Sequence, residues 1–366
     1  MPAKRDEMME MEEEEVIDLS NPEVVQKYKA AAEVAHRAME EVMKQCKAGK
    51  RIVELCQAGD NFIVAECKKP FPKQKMERGI AFPTCVSVNN IAGHFSPLKD
   101  DKAVLRKGDV IKIDLGAHID GYLALAARTL VCEPDGDVTG KAADVIAAAQ
   151  VAMNAAIHMI QVGKTNEEVS EVIKRVAEAY HVHPLEGVLS HQMTRYVIDG
   201  EKVIMNKPTC DQRVEKCTFE ANDVWCVDIV MSTGSGVPRE RDARTTVFKR
   251  SLEQMYMLKL KSSRYLQQQI DRKAPVFPFT LRAIDDERQA RMGVSEMLSH
   301  GMVDPYPVLF ERDGEFVAQF KTTVFVLPKQ TLPAFTPAIP EYVKSAHTCE
   351  DELVKAALAT PLKADK

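Results

Sequence analysis

Residues 108–131, "GDVIKIDLGAHIDGYLALAARTLV", alternate in a way that predicts a β-hairpin. Side chains on a strand point to opposite faces in turn, so Lys112 and Asp114 share one face while Ile111, Ile113 and Leu115 take the other. A turn at Asp120-Gly121 returns the chain antiparallel. That turn sets Asp114 opposite about residue 127 and makes Leu125 its same-face diagonal neighbour, within side-chain reach. The hairpin therefore has the layout of a paired-carboxylate site in which one partner is a leucine.

A shift of the sequence against itself by 114 positions brings related segments together without a gap. Ala35–Met39 falls on Ala149–Met153, Gly49-Lys50 on Gly163-Lys164, Asp109-Val110 on Asp223-Val224, and Asp114 on Asp228. Each half reads as a long Ala-rich helix, a Gly-Lys break, a second helix ("RIVELCQAGDNFIVAECKK", "TNEEVSEVIKRVAEAY") and then strands. Halves packed about a pseudo-twofold axis would each supply one aspartate to a shared crevice. Such a crevice suits two cations bridged by carboxylates at about 3.5–4 Å separation.

The pattern predicts an acidic N-terminus over residues 1–19 and a main domain over 20–345, with halves at about 20–135 and at 136–248 plus 306–345. An insert of two or three amphipathic helices, punctuated by Pro275, Pro278 and Pro305, is expected over 249–305. The strand "EFVAQFKTTVFVLP" then rejoins the main sheet, and 346–366 are expected as a helix or loose tail.

Composition adds less. Hydrophobic content of 45% and charged content of 28% suit a globular protein. The net charge of −5 resides in "MPAKRDEMMEMEEEE", whose seven acids face only Lys4 and Arg5; such a run is usually disordered. The N-terminus has no apolar signal-peptide core, and no run approaches the roughly 18 apolar residues of a membrane span, so an intracellular, cytoplasmic protein without membrane insertion is expected. The nine cysteines form no C-x-x-C pair and are expected as reduced thiols. His181 and His183 have metal-like spacing but no third donor, a weak signal.

The insert holds the strongest basic signal. Residues 249–273 contain Lys249, Arg250, Lys259, Lys261, Arg264, Arg272 and Lys273 against Glu253 and Asp271. Lys261, Arg264, Gln268 and Arg272 fall on one helical stripe, which is either a solvated face or a phosphate-contacting surface.

The segments "AFPTCVSVNNIAGHFSP", "KIDLGAHIDGY", "LSHQM", "VDIVMSTGSG" and "MVDPYPVLFERDGEFVAQFKTTVFVLP" together resemble type II methionine aminopeptidases, most closely the proliferation-associated, ErbB-receptor-binding branch. The resemblance spans about residues 20–345. It implies an α/β pita-bread (creatinase/aminopeptidase) fold of two pseudo-symmetric halves with a type II insert. It also implies the ligand positions of a dimetal site: Asp114, His191 and Asp228 match, whereas two positions fall on Leu125 and Lys321. His94 matches a pocket histidine, and Asp199 stands where the enzymes have another active-site histidine.

A leucine offers no lone pair, and a lysine brings positive charge to where an ion would sit. The expectation is thus a pseudoenzyme with no cofactor and no catalytic residue, in which Lys321 replaces the metals as a structural cation paired with Asp114 or Asp228. The resemblance further implies ribosomal RNA and ribosomes as partners in ribosome biogenesis or translation regulation, with Lys259, Lys261, Arg264, Arg272 and Lys273 as RNA contacts, and protein partners in growth control. It implies a nuclear or nucleolar fraction too, although "ATPLKADK" lacks the lysine-rich ending of close relatives. Two alternatives stay open: a methionine aminopeptidase with an altered metal site, and a non-cleaving peptide-binding module using His94.

Overall fold

The computed structural model describes residues 18–209, 214–336 and 338–363. Most of the acidic N-terminus and the last three residues lie outside them. Helix α1 (Pro22–Gln45) starts where the Asn21 side chain accepts from the Glu23 N–H at 2.9 Å, with proline in its first turn. Helix α2 (Ile52–Glu66) follows, then α3 (Gly140–Met159) and α4 (Asn166–Ala179), the last opened by a Thr165/Glu168 capping box. These helices lie on a nine-stranded sheet. Its main path runs Arg78–Val88, Val110–Ile119, Tyr122–Val131, Val317–Leu327, Val224–Ser232, Leu189–Met193 and Val203–Met205.

The duplication is written into the backbone. α2 and α4 begin 114 positions apart, as do the strands carrying Asp114 and Asp228. Gly49 and Gly163 both adopt left-handed φ, +83° and +87°, which glycine accepts without strain. Their N–H groups donate to Leu105 and Phe219, again one repeat apart. The isolated bridges Arg51–Val104 and Thr165–Thr218 repeat the same offset. The apolar faces of α1 and α2 pack on one half of the sheet and those of α3 and α4 on the other, around two large cores. The fold is the α/β pita-bread architecture.

Two expectations change. α3 is long and apolar enough to span a membrane, contrary to the sequence reading, and its alanines and valines are instead buried against the sheet and α4. The insert is not purely helical: α5 (Lys261–Lys273) and α6 (Glu287–Ser299) pack beside a three-stranded sheet of Phe279–Thr280, Val247–Arg250 and Val303–Tyr306. Pro305 lies within its edge strand Val303–Tyr306, where a missing N–H costs least. Of the two forms expected for the tail, the structure has the helix: α7 (Glu352–Ala359) buries Val354 and Ala357 in the same core as α3 and α4.

A buried ion pair fastens the insert to the first half. Arg282 places its guanidinium 2.6 Å from Asp60 of α2 and also donates to Ser96 Oγ and the Pro97 carbonyl, so its charge is fully partnered away from water.

Candidate functional site

The hairpin forms as expected. Asp120 and Gly121 both adopt left-handed φ, and Asp114 pairs with Ala127. Ala127 also pairs with Lys321, and Lys321 with Asp228, so one row crosses four strands: Asp114, Ala127, Lys321, Asp228. Residues in register share a face of the sheet. The alanine leaves the space that the long lysine side chain crosses.

Lys321 Nζ lies 2.6 Å from Asp114 Oδ2 and 3.1 Å from Asp228 Oδ2. Only 8% of its side chain is exposed, against 6% and 14% for the two aspartates. Gln319, two residues earlier on the same face, donates its amide to both Asp228 oxygens at 2.9 and 3.2 Å. The Phe82 ring lies 5.3 Å from the ammonium. Burial disfavours charge on Lys321, but the flanking carboxylates outweigh it and hold its pKa well above the usual lysine range. Burial pushes the Asp114 carboxyl up to about 6, opposed by Lys321 and reinforced by Asp228. Asp114 Oδ1 is buried without a hydrogen-bond partner among the described residues.

The remaining positions surround this row. Leu125 is buried in an apolar cluster with Phe82, Cys85, Met193 and Cys226. It lies opposite Gly116 and so close over it that a Cβ there would clash with its Cδ2. His191 Nδ1 lies 3.2 Å from the Gly200 carbonyl, and His94 Nδ1 3.1 Å from that of Pro307. Burial lowers the pKa of both rings, with the carbonyl contacts opposing. His94 has φ +63° and sits edge-on to Tyr306 at 5.3 Å. Asp199 is paired with Lys249 at 2.5 Å.

A dimetal centre does not fit this donor set. Leu125 donates nothing, both aspartates already hold a buried ammonium, and among the described residues no three His, Cys, Asp or Glu side chains converge as ligands. His181 meets His347 edge-on at 4.9 Å rather than forming a ligand group with His183.

The basic stripe is exposed as expected, yet much of its charge is already engaged. Arg264 donates to the Leu258 and Lys259 carbonyls, and Arg272 and Lys273 pair with Asp285 at 3.0 and 2.5 Å. Lys249 and Arg250 are held by Asp199 and Asp271. The side chains of Lys259 and Lys261 are exposed and, among the described residues, lack a carboxylate partner.

Sequence reasoning missed Gln319, Phe82 and the burial of Lys112. The spacing of Gln319 to Lys321 was the available signal. Lys112 is almost fully buried, donates to the Asn89 carbonyl at 2.8 Å, and has its pKa pulled down to about 7 by burial.

The model of metallopeptidase family M24 matches residues 26–246. The chain belongs to this family. It is 45% identical to "Proliferation-associated protein A" of Dictyostelium discoideum, over 100% of this chain and 96% of that protein. It is 41% identical to "Curved DNA-binding protein" of Schizosaccharomyces pombe, over 95% and 93%. Among solved structures, a thermophilic Arx1 matches with a TM-score of 0.88 at 28% identity, over 94% of this chain and 99% of that one. Within the M24 family the chain falls in the proliferation-associated, ErbB-receptor-binding branch, with Arx1 and the type II methionine aminopeptidases as more distant relatives.

Lys321→Ala should destabilise the protein by about 3 kcal/mol or more, because it strands two carboxylates without their cation. Urea unfolding is the check, and a wild-type midpoint would refute the structural-cation role. A second expectation concerns pH. Asp114 keeps its proton up to about pH 6 in the folded protein but only to about its ordinary 3.8 when unfolded. Its contribution is therefore full below the ordinary value and is lost as pH rises through about 6. Urea midpoints measured across that window should fall with rising pH, and Asp114→Asn should remove that component.

Proposed function

We propose that this protein acts by binding rather than by hydrolysis, as a ribosome- or RNA-associated factor in ribosome biogenesis or translation control. The observation that carries the reading is the Lys321 ammonium between Asp114 and Asp228. Dimetal hydrolysis needs those carboxylates to bridge cations and lower the pKa of a bound water. Here they are spent on a lysine, and the position of the missing bridging carboxylate is a buried leucine. The site functions as a cross-brace between the two halves.

Support for nucleic acid as the partner class comes from the insert and from a relative. Lys259 and Lys261 present charge on the exposed face where α5 begins. Such groups bind phosphates by releasing counterions, without reading sequence. The Schizosaccharomyces pombe relative bears the name of a DNA-binding protein. Arg264, Arg272 and Lys273 contribute less in this reading, since each would first have to leave an internal partner.

Co-sedimentation with ribosomes over a salt series provides the test, run alongside hydrolysis of a Met-Ala-Ser peptide with added cobalt or manganese. Binding should weaken with salt, and the Lys259→Glu/Lys261→Glu pair should lower the slope of log affinity on log salt by roughly 2, about 0.9 per lost phosphate contact. No turnover is expected. Metal-dependent turnover, or binding indifferent to both lysines, would overturn the corresponding half of the proposal.

A further inference from the structure

Away from the Lys321 row, a groove of about 710 Å³ runs between the outermost strand of the main sheet, Arg78–Val88, and the insert. Its walls are largely apolar, formed by Ile80, Pro83, Ile270, Pro275, Phe277 and Ile284. Its volume lies within the roughly 300–1,000 Å³ usual for small-molecule sites.

One polar side chain lines it without a protein partner. His118, four residues after Asp114, is 8% exposed, and Nδ1 is buried with nothing to bond. Among the described residues neither ring nitrogen makes a hydrogen bond to the protein. A buried polar group left in this state costs free energy that a ligand could recover. The imidazole lies 4.5 Å from the Phe277 ring, which in turn stacks near Tyr196 at 6.2 Å, giving the groove an aromatic end.

The cations at the rim are already matched, while Glu77 is exposed there without an ion-pair partner among the described residues. Arg78 donates to backbone carbonyls from Cys67 to Met76, among them Pro70 at 2.6 Å and Gln74 at 2.8 Å. Arg272 and Lys273 hold Asp285, and Asp271 holds Arg250. Burial also pushes the His118 pKa down to about 4, so the ring is neutral near pH 7. An anionic ligand would meet no free cation there and would be repelled by Glu77. A cationic one would have to leave its hydration behind to enter the apolar groove beyond that rim carboxylate, whereas an uncharged one gives up no ionic hydration on entry.

We propose that this groove is a binding site for a small, uncharged aromatic molecule carrying one hydrogen-bonding hydroxyl or ring nitrogen, packed against Pro275 and Phe277 and bonded to His118. The site is independent of the reading of the Lys321 row, because it shares none of that row's residues.

The probes are p-cresol and toluene, which differ by one hydroxyl. Both are titrated into the full chain while the His118 imidazole nitrogens are followed by long-range ¹H–¹⁵N NMR. p-Cresol should bind saturably, shift the His118 nitrogens, and bind roughly five- to ten-fold more tightly than toluene, the worth of about one hydrogen bond. His118→Phe, which keeps a ring in place, should retain toluene binding and lose the advantage of p-cresol. Absence of a saturable shift at His118, equal affinity for the two probes, or an advantage that survives His118→Phe would each overturn the proposal. The wild-type measurement stands even if His118→Phe does not fold.

Discussion

An ammonium ion held between two carboxylates, away from water and across four strands of a sheet, is the interaction on which the rest of this structure depends. Placing those charges in the interior is unfavourable unless geometry and hydrogen bonding compensate. Here the register supplies the geometry, since Asp114, Lys321 and Asp228 share one row. Gln319 satisfies the Asp228 oxygens, and the Phe82 ring covers the cation. The brace ties the first half to the second through the strand that rejoins the sheet after the insert.

That strand is central because of the duplication. Each half delivers its own aspartate on an equivalent strand, and Val317–Leu327 lies between the first half's hairpin and the second half's strand. A cation is required where the two acidic residues converge, and in this member of the M24 family a side chain provides it. Leu125 belongs to the same adaptation. A leucine has no lone pair for an ion, and its side chain joins the apolar cluster around Phe82 and Met193 and closes over Gly116.

Much of this was legible in the sequence because it depends on local periodicity. Alternation over residues 110–131 gave the hairpin and its register, and the 114-residue offset brought Asp114 and Asp228 together. Lys321 as a replacement cation followed from charge alone, once resemblance had placed it at the site. What stayed hidden depends on long-range partners or short elements. Nothing local to Arg282 announces Asp60, 222 positions away. Asp285 and Asp199, which pair with Arg272 and Lys249 of the basic segment, are likewise visible only after folding. The insert's strands are two to four residues long, too short for a period to show. The sequence reading also passed over the apolar run of α3, which is long enough for a membrane span and packs against the sheet.

The most direct test of the account is a manganese(II) titration of ¹⁵N-lysine-labelled protein, with the Lys321 resonance assigned by its loss in Lys321→Arg. A buried ammonium that cannot yield its place to a cation predicts a Lys321 signal in the protonated range that manganese neither shifts nor broadens. Selective paramagnetic loss of that signal at stoichiometric manganese would place a metal beside Asp114 and Asp228 and contradict the account.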